Sequence, residues 1–221
     1  MQRLDYKNKK WEKRKERIIH NIQCRYNEIA SLKEDYSNGK IDDVRYHSVL
    51  ASYLKMAAED EFVQGKHRKC YEYIAQSVEE FILAVKLLGE GKDIKQVTRK
   101  NVENKIKGGY WGYCALLVSD YDVMSQVTRP DATIIQMLSQ KLMNQDAYDS
   151  VGEMELAISL RDSEKFEKAL ADRIKEIRKF DVENYICADF ISMALVKEAK
   201  KAGMDFYSDY IEVDLKEEDM A

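Results

Sequence analysis

Hydrophobic residues recur at helical spacing along most of the chain. Over residues 9–34, Ile18, Ile22 and Ile29 stand four and seven positions apart, which places them on one stripe of a helix with 3.6 residues per turn. Gly39 follows this segment, and glycine readily adopts the left-handed conformation that ends a helix. The pattern predicts a long first helix.

Two further helices are predicted over residues 42–64 and 66–88, separated by Gly65. The second has the clearest apolar pattern in the chain, broad enough for one face to be buried. Its predicted face consists of Cys70, Tyr73, Ile74, Ser77, Val78, Phe81, Ile82, Val85 and Leu88.

The rest of the chain continues this helical pattern with shorter segments. A short polar helix over 93–107 and a buried helix over 110–118 come first. Asp131, after Pro130, is expected to cap a helix over 134–142. Three more helices complete the series. They are predicted over 146–161, over 163–177 with Ser163 as the cap, and over 182–202. The one alternation typical of extended chain covers 206–213.

Two stretches share a layout of helix, tight turn and helix: Ala57–Tyr73 and Ala157–Leu170. Helix pairs of this kind are the unit of α-solenoids such as tetratricopeptide arrays. We therefore expect an all-α fold of about eight helices stacked as antiparallel pairs. It would form one tetratricopeptide-like domain over 1–203, followed by a short extended acidic segment over 204–221.

Composition agrees with a helical protein and narrows its partners. Nine Gly and one Pro are too few for the many tight turns of a β-sandwich or barrel. The 36 basic and 40 acidic residues give a net charge of −4, and residues 204–221 alone carry seven acids against Lys216. Because no apolar run approaches the roughly 20 residues that span a bilayer, we expect a soluble cytoplasmic protein.

The cysteines and histidines predict neither disulfides nor a metal site. Cys24, Cys70, Cys114 and Cys187 are widely spaced, so we expect four reduced thiols in the core. His20 and Cys24 lie four positions apart, and His67 and Cys70 three. Neither pair has the third and fourth ligand that zinc normally takes.

No pattern for catalysis or for nucleic-acid binding is recognisable. Gly89-Glu90-Gly91-Lys92-Asp93 lacks the full phosphate-binding motif, and the carboxylate pairs Glu153/Glu155 and Asp146/Asp149 are expected on solvated helix faces. Basic residues crowd Lys7–Arg17, but Glu12 and Glu16 lie among them, which favours a salt-bridged helix surface. We expect no enzyme activity, no cofactor, and no binding to nucleic acid or membrane; recognition of a basic protein fits best.

The layout of residues 146–221 resembles that of a known protein family. The helix ending Glu155-Leu156-Ala157-Ile158-Ser159-Leu160 is followed by Arg161-Asp162-Ser163-Glu164-Lys165-Phe166, then by Ala194-Leu195-Val196-Lys197 and Lys201-Ala202-Gly203-Met204-Asp205. With Tyr210-Ile211 and Leu215, this layout resembles the immunity protein 49 family of bacterial polymorphic toxin systems, although no Pro follows Ile211. A second helical immunity class, paired with nuclease toxins, has a similar layout.

The resemblance implies that the protein binds a toxin domain and blocks it stoichiometrically. The expected contacts are acidic or aromatic residues outside the clearest core stripes: Asp146, Asp149, Glu153, Asp209, Tyr210 and Glu212. Two alternatives stay open. A tetratricopeptide-like adaptor would bind peptides in a groove, and a helical enzyme would show a deep pocket with convergent polar groups.

Overall fold

The computed structural model describes residues 9–90, 94–107, 110–118, 150–177 and 182–207. In these residues the chain is all-α, with eight helices and no strand. The helices are α1 (Lys9–Ser37), α2 (Asp43–Val63), α3 (His67–Gly89), α4 (Gln96–Lys107), α5 (Tyr110–Leu117), α6 (Ser150–Leu160), α7 (Ser163–Ile177) and α8 (Val182–Lys201). The all-α prediction is confirmed, and the predicted helix over 134–142 lies outside the described residues.

The described residues form two compact units, one up to Ile106 and one from Lys107 onward. In the first unit, α2 and α3 form a closely packed hairpin, and α1 lies against α2. The Ser77 hydroxyl donates to the Ala51 carbonyl oxygen at 2.7 Å, and His47 Nδ1 lies 2.5 Å from Glu80 Oε2, so polar contacts also join the two helices.

The apolar face predicted for α3 is largely confirmed. Seven of its nine predicted members are buried, while Tyr73 and Val85 are half-buried. Three small or aromatic residues that were not predicted, Tyr71, Ala75 and Ala84, are buried as well. The buried face is therefore wider than the predicted stripe, as a helix packed on more than one side requires.

The second unit is built on the α6–α7 hairpin, with α8 in contact with α5, α6 and α7. Its core includes Met154, Phe166, Leu170, Ile177 and Phe190. After α8 the chain is non-helical from residue 204 to 207, and Phe206 packs on Phe166 with 4.7 Å between ring centroids. The single domain over 1–203 stays a prediction, as does the extended segment, of which residues 208–221 lie outside the described residues.

Four helices end in the same backbone motif. After α1, α2, α6 and α8, a left-handed residue is followed by a backbone N–H that bonds to a carbonyl five residues earlier, as in Lys66 N to Glu61 O at 3.1 Å. The left-handed residue is glycine at positions 39, 65 and 203, but at position 161 it is arginine, with φ 54°. This is the Schellman motif, which satisfies carbonyl groups left over at the helix end.

Two sequence predictions are wrong. The cap of α7 is Asp162 rather than Ser163, because the Asp162 carboxylate accepts a hydrogen bond from Lys165 N at 3.1 Å. Cys24 is exposed rather than in the core, although Cys70 and Cys114 are buried as predicted. The side chain of Cys187 lies outside the described part of the chain.

Candidate functional site

Of the six predicted contact residues, Glu153 alone lies within the described residues. It is exposed on α6, as expected for a solvated helix face, and its contact with a partner stays a prediction. The other five, Asp146, Asp149, Asp209, Tyr210 and Glu212, lie outside the described residues and stay predictions.

Helix α6 has one buried and one exposed side. Met154 and Ala157 face the core of the second unit and are almost completely buried. Leu156 and Leu160 are 48% and 58% exposed. Because they lie four residues apart, they occupy adjacent turns of one helix face, and Glu153 precedes Leu156 by three residues and Leu160 by seven. We call Glu153, Leu156 and Leu160 the α6 surface.

The turn after α6 holds a charged residue next to this surface. Arg161 is exposed and left-handed, and Asp162 caps α7. The backbone hydrogen bond from Lys165 lowers the pKa of the Asp162 carboxyl, with a further contribution from the Lys165 side chain. The cap is thus held in its charged form, which favours the start of α7 and fixes the hairpin geometry.

The carboxylates Glu153 and Glu155 do not form a pair. Glu155 accepts a hydrogen bond from the Tyr113 hydroxyl at 2.6 Å, which ties α6 to α5, while Glu153 faces solvent. On the other side of the hairpin, the Ser150 hydroxyl donates to Glu176. Glu155 and Glu176 therefore hold helices together. Glu153 and Glu155 do not share one proton, as a general acid–base pair would.

Of the two spacings considered for metal binding, His20 and Cys24 approach each other, whereas His67 packs on Phe62. Cys24 Sγ lies 4.0 Å from His20 Nε2 at an exposed position, and the ring of His67 packs 5.6 Å from that of Phe62. Among the described residues, no three His, Cys, Asp or Glu side chains are grouped as a metal site requires. The basic side chains over 7–17 lie outside the described ones.

A pocket lies between α2 and α4 in the first unit. Its volume is about 490 Å³, within the range of small-ligand sites. Two cationic residues line it, Arg45 from α2 and Lys105 from α4, together with the amides of Asn101 and Asn104. None of the eight described side chains that line the pocket is acidic. Its electrostatic character is therefore positive.

Lys105 is held in place by three oxygen atoms of α2. Its ammonium donates to the carbonyl of Ser48 at 2.8 Å, to the Ser48 hydroxyl at 2.9 Å and to the Ser52 hydroxyl at 2.7 Å. Burial lowers the pKa of Lys105 to about 8, and the charge of Lys55 adds to this effect. The ammonium is thus held in place by its three acceptors, while burial disfavours its charged form.

Comparison with known proteins leaves the function to be inferred from these residues. No protein-family model matches the chain, and neither a curated protein nor a solved structure matches it. Within the described ranges, no helix is both long enough and apolar enough to cross a bilayer.

The sequence indicated the α6 surface only in part and the pocket not at all. The charge of Glu153 marked it as a surface residue, but the six apolar residues of 150–160 are spread around the helix, so periodicity did not separate the exposed leucines from the buried positions. The pocket residues lie on two helices about 50 positions apart. The one signal in the sequence was the grouping of Asn101, Asn104 and Lys105 on a polar helix.

Proposed function

We propose that this protein is an immunity protein that binds a cognate toxin domain and neutralises it by occluding its surface. The resemblance of residues 146–221 to the immunity protein 49 family suggests this role. The observation that carries the proposal is the exposure of Leu156 and Leu160 on α6, within the stretch that bears the resemblance.

The α6 surface has the composition of a small interface centre. Two leucines in adjacent turns offer apolar area that a partner can remove from water, and Glu153 beside them can pair with a basic residue. A stable interface buries about 1,600 Å² in total. Helix α6, with 11 residues, is about 16 Å long, so it would supply the centre of such an interface rather than all of it.

Charge supports a basic partner. The chain carries a net charge of −4, and its last 18 residues carry −6. Opposite charges speed the encounter of two proteins and select against wrong partners. A toxin domain with a positive surface therefore fits the charge of this chain better than an acidic one.

The first experiment is co-expression with the protein encoded next to this one. We expect the neighbouring protein to arrest growth when it is produced alone and growth to recover when this chain is produced with it. Recovery supports immunity. Growth arrest that persists despite both proteins being present contradicts the proposal and favours the alternative, a tetratricopeptide-like adaptor.

A pair of variants then locates the contact. Leu156→Glu together with Leu160→Glu should weaken toxin binding by at least a hundredfold in a calorimetric titration, since two interface anchors are lost. The matched control is Leu83→Glu, an exposed leucine of α3 at 40% exposure in the other unit. Circular dichroism should report the same helicity for all variants, and equal affinities would exclude the α6 surface as the contact.

The acidic segment is tested separately. Reversing the charges of Asp209 and Glu212 to lysine should slow association most at low salt, because long-range attraction is screened as salt rises. An association rate that does not change would remove these residues from the interface while leaving the α6 surface untouched.

A further inference from the structure

We propose that the pocket between α2 and α4 binds a carboxylate that carries an amide-containing apolar group, such as an N-acylated amino acid or the C-terminus of a peptide. This proposal concerns the first unit and does not depend on the immunity function. It rests on the charges, amides and valine side chains that line one cavity.

The charges select an anion. Arg45 and Lys105 both line the cavity, and no acidic side chain is among its described lining residues. Arginine binds carboxylates through two parallel hydrogen bonds, so Arg45 is the residue suited to direct contact. Lys105 already donates to three oxygens of Ser48 and Ser52, so its part is to add a fixed positive charge.

The amides select what is attached to that anion. Asn101 and Asn104 stand three residues apart on α4, so their side chains lie on one face of the helix beside the cationic pair. Each asparagine side chain offers both a donor and an acceptor. A peptide or acyl-amide group has the complementary acceptor and donor in its C=O and N–H.

Two valines complete the site with apolar surface. Val49 and Val97 line the same cavity, and Val97 is 65% exposed, an unusual position for a large aliphatic residue. A small apolar side chain of the ligand can cover it. The volume of about 490 Å³ exceeds what a lone inorganic anion needs and accommodates a few residues of peptide.

The test titrates the full chain with four probes by calorimetry and NMR: N-acetylvaline, N-acetylvalinamide, inorganic phosphate and the tripeptide N-acetyl-Ala-Ala-Val. We expect N-acetylvaline to bind and its amide to bind at least tenfold more weakly, because the carboxylate is lost. Equal binding of acid and amide, or binding of phosphate alone, would overturn the proposal. Tighter binding of the tripeptide than of N-acetylvaline identifies a peptide end as the ligand, and equal binding identifies a small carboxylate; both outcomes support the carboxylate class.

Variants then connect binding to this pocket. Arg45→Gln should weaken N-acetylvaline binding at least tenfold, while Arg68→Gln, an exposed arginine of the same unit that does not line the pocket, should leave it unchanged. Lys105→Met should also weaken binding, with its fold checked by circular dichroism because Lys105 joins α4 to α2. Since Arg45 has an exposed side chain, its variant remains informative even where Lys105→Met does not fold; unchanged affinity in Arg45→Gln would exclude the site.

Discussion

The two hairpins, α2–α3 and α6–α7, share a backbone design and differ in how their side chains are used. Both turns place a left-handed residue after the first helix and repeat the same pair of closing hydrogen bonds. Near its turn, however, α2–α3 gathers charged and aromatic side chains around a buried acid, whereas α6–α7 leaves two leucines in solvent. The first hairpin pairs its buried acid within the fold, and the second leaves apolar side chains exposed to solvent.

The buried acid of the first hairpin is Glu61, which is 1% exposed. It accepts a hydrogen bond from the Tyr26 hydroxyl at 3.0 Å and lies 2.8 Å from Lys69 Nζ and 3.3 Å from Lys66 Nζ. Burial alone would raise the pKa of Glu61, but the hydrogen bonds from Lys69 and Tyr26 outweigh it and lower the pKa. Tyr73 extends the network, since its hydroxyl lies 2.8 Å from that of Tyr26.

The variant with the largest expected effect removes the carboxylate at the centre of this network. Glu61→Gln should lower the free energy of unfolding by about 2–3 kcal/mol, because two ammonium groups and a hydroxyl lose their shared carboxylate. The loss stays below that of a fully buried pair, since Lys66 and Lys69 are partly exposed. Urea denaturation measures it. The control, Glu72→Gln, removes an exposed ion pair with Arg68 and should cost under about 0.5 kcal/mol; equal losses would show that Glu61 is not a special position.

The second largest effect is on the pH dependence of the free energy of unfolding. It has opposite signs for Asp60 in α2 and for Asp172 in α7. Burial raises the pKa of Asp60 to about 7, against a smaller opposing effect of Arg25, whose Nε lies 3.9 Å away. Among the described residues, neither Asp60 Oδ2 nor Arg25 Nε has a hydrogen-bond partner. A folded carboxyl with a raised pKa binds protons that the unfolded chain has released, so stability falls as pH rises from about 4 to about 7.

Asp60→Asn should therefore stabilise the protein, by about 2 kcal/mol at pH 8 and by progressively less toward pH 4. Urea titrations at several pH values measure the difference. The matched control is Asp172→Asn in α7, where the hydrogen bond from Lys175 lowers the pKa of the carboxyl. Loss of the Asp172 charge should lower the free energy of unfolding slightly at neutral pH. This difference should disappear as the pH falls through the range in which aspartate ordinarily takes up its proton. A gain from Asp60→Asn that does not vary with pH would contradict the burial argument.

The contrast between the hairpins also separates what the sequence could predict from what it could not. Periodicity at 3.6 residues located α1, α2, α3 and α8 closely, because an apolar stripe is a local pattern. Gly39, Gly65 and Gly203 marked helix ends for an equally local reason. The end of α6, predicted at 161, lies at Leu160, although no glycine marks it, and the cap predicted at Ser163 is Asp162 instead.

The side-chain environments were beyond a local pattern. The burial of Glu61 depends on Tyr26, 35 positions earlier, and on Lys69 across the turn. Lys105 finds its three acceptors on a helix more than 50 positions away. Such sites arise when helices pack, and a sequence read one segment at a time contains only their separate parts. The exposure of Cys24 is of the same kind, since an apolar neighbourhood along the chain need not be one in space.

The smallest expected effect tests the turns themselves. Left-handed backbone costs a residue with a side chain about 1–2 kcal/mol, whereas glycine adopts it without that cost but is more flexible when unfolded. Arg161→Gly should therefore raise the free energy of unfolding by about 0.5–1 kcal/mol, and Gly65→Arg should lower it by a similar amount. Apart from Gly65 and its neighbours along the chain, no heavy atom of the described residues lies within 4 Å of the position that a Cβ would occupy there, so the loss comes from the backbone rather than from a clash.

The same pair of variants tests whether Arg161, in the turn between α6 and α7, takes part in binding. Arg161 directly follows Leu160, and arginine is enriched among the residues that dominate binding energy. If the α6 surface contacts the toxin, Arg161→Gly should gain stability and lose affinity, about tenfold in a calorimetric titration, while Gly65→Arg should lose stability alone. A variant at position 161 that gains stability and keeps full affinity would mean that the strained arginine has no part in recognition, and the contact would then be centred on the leucines.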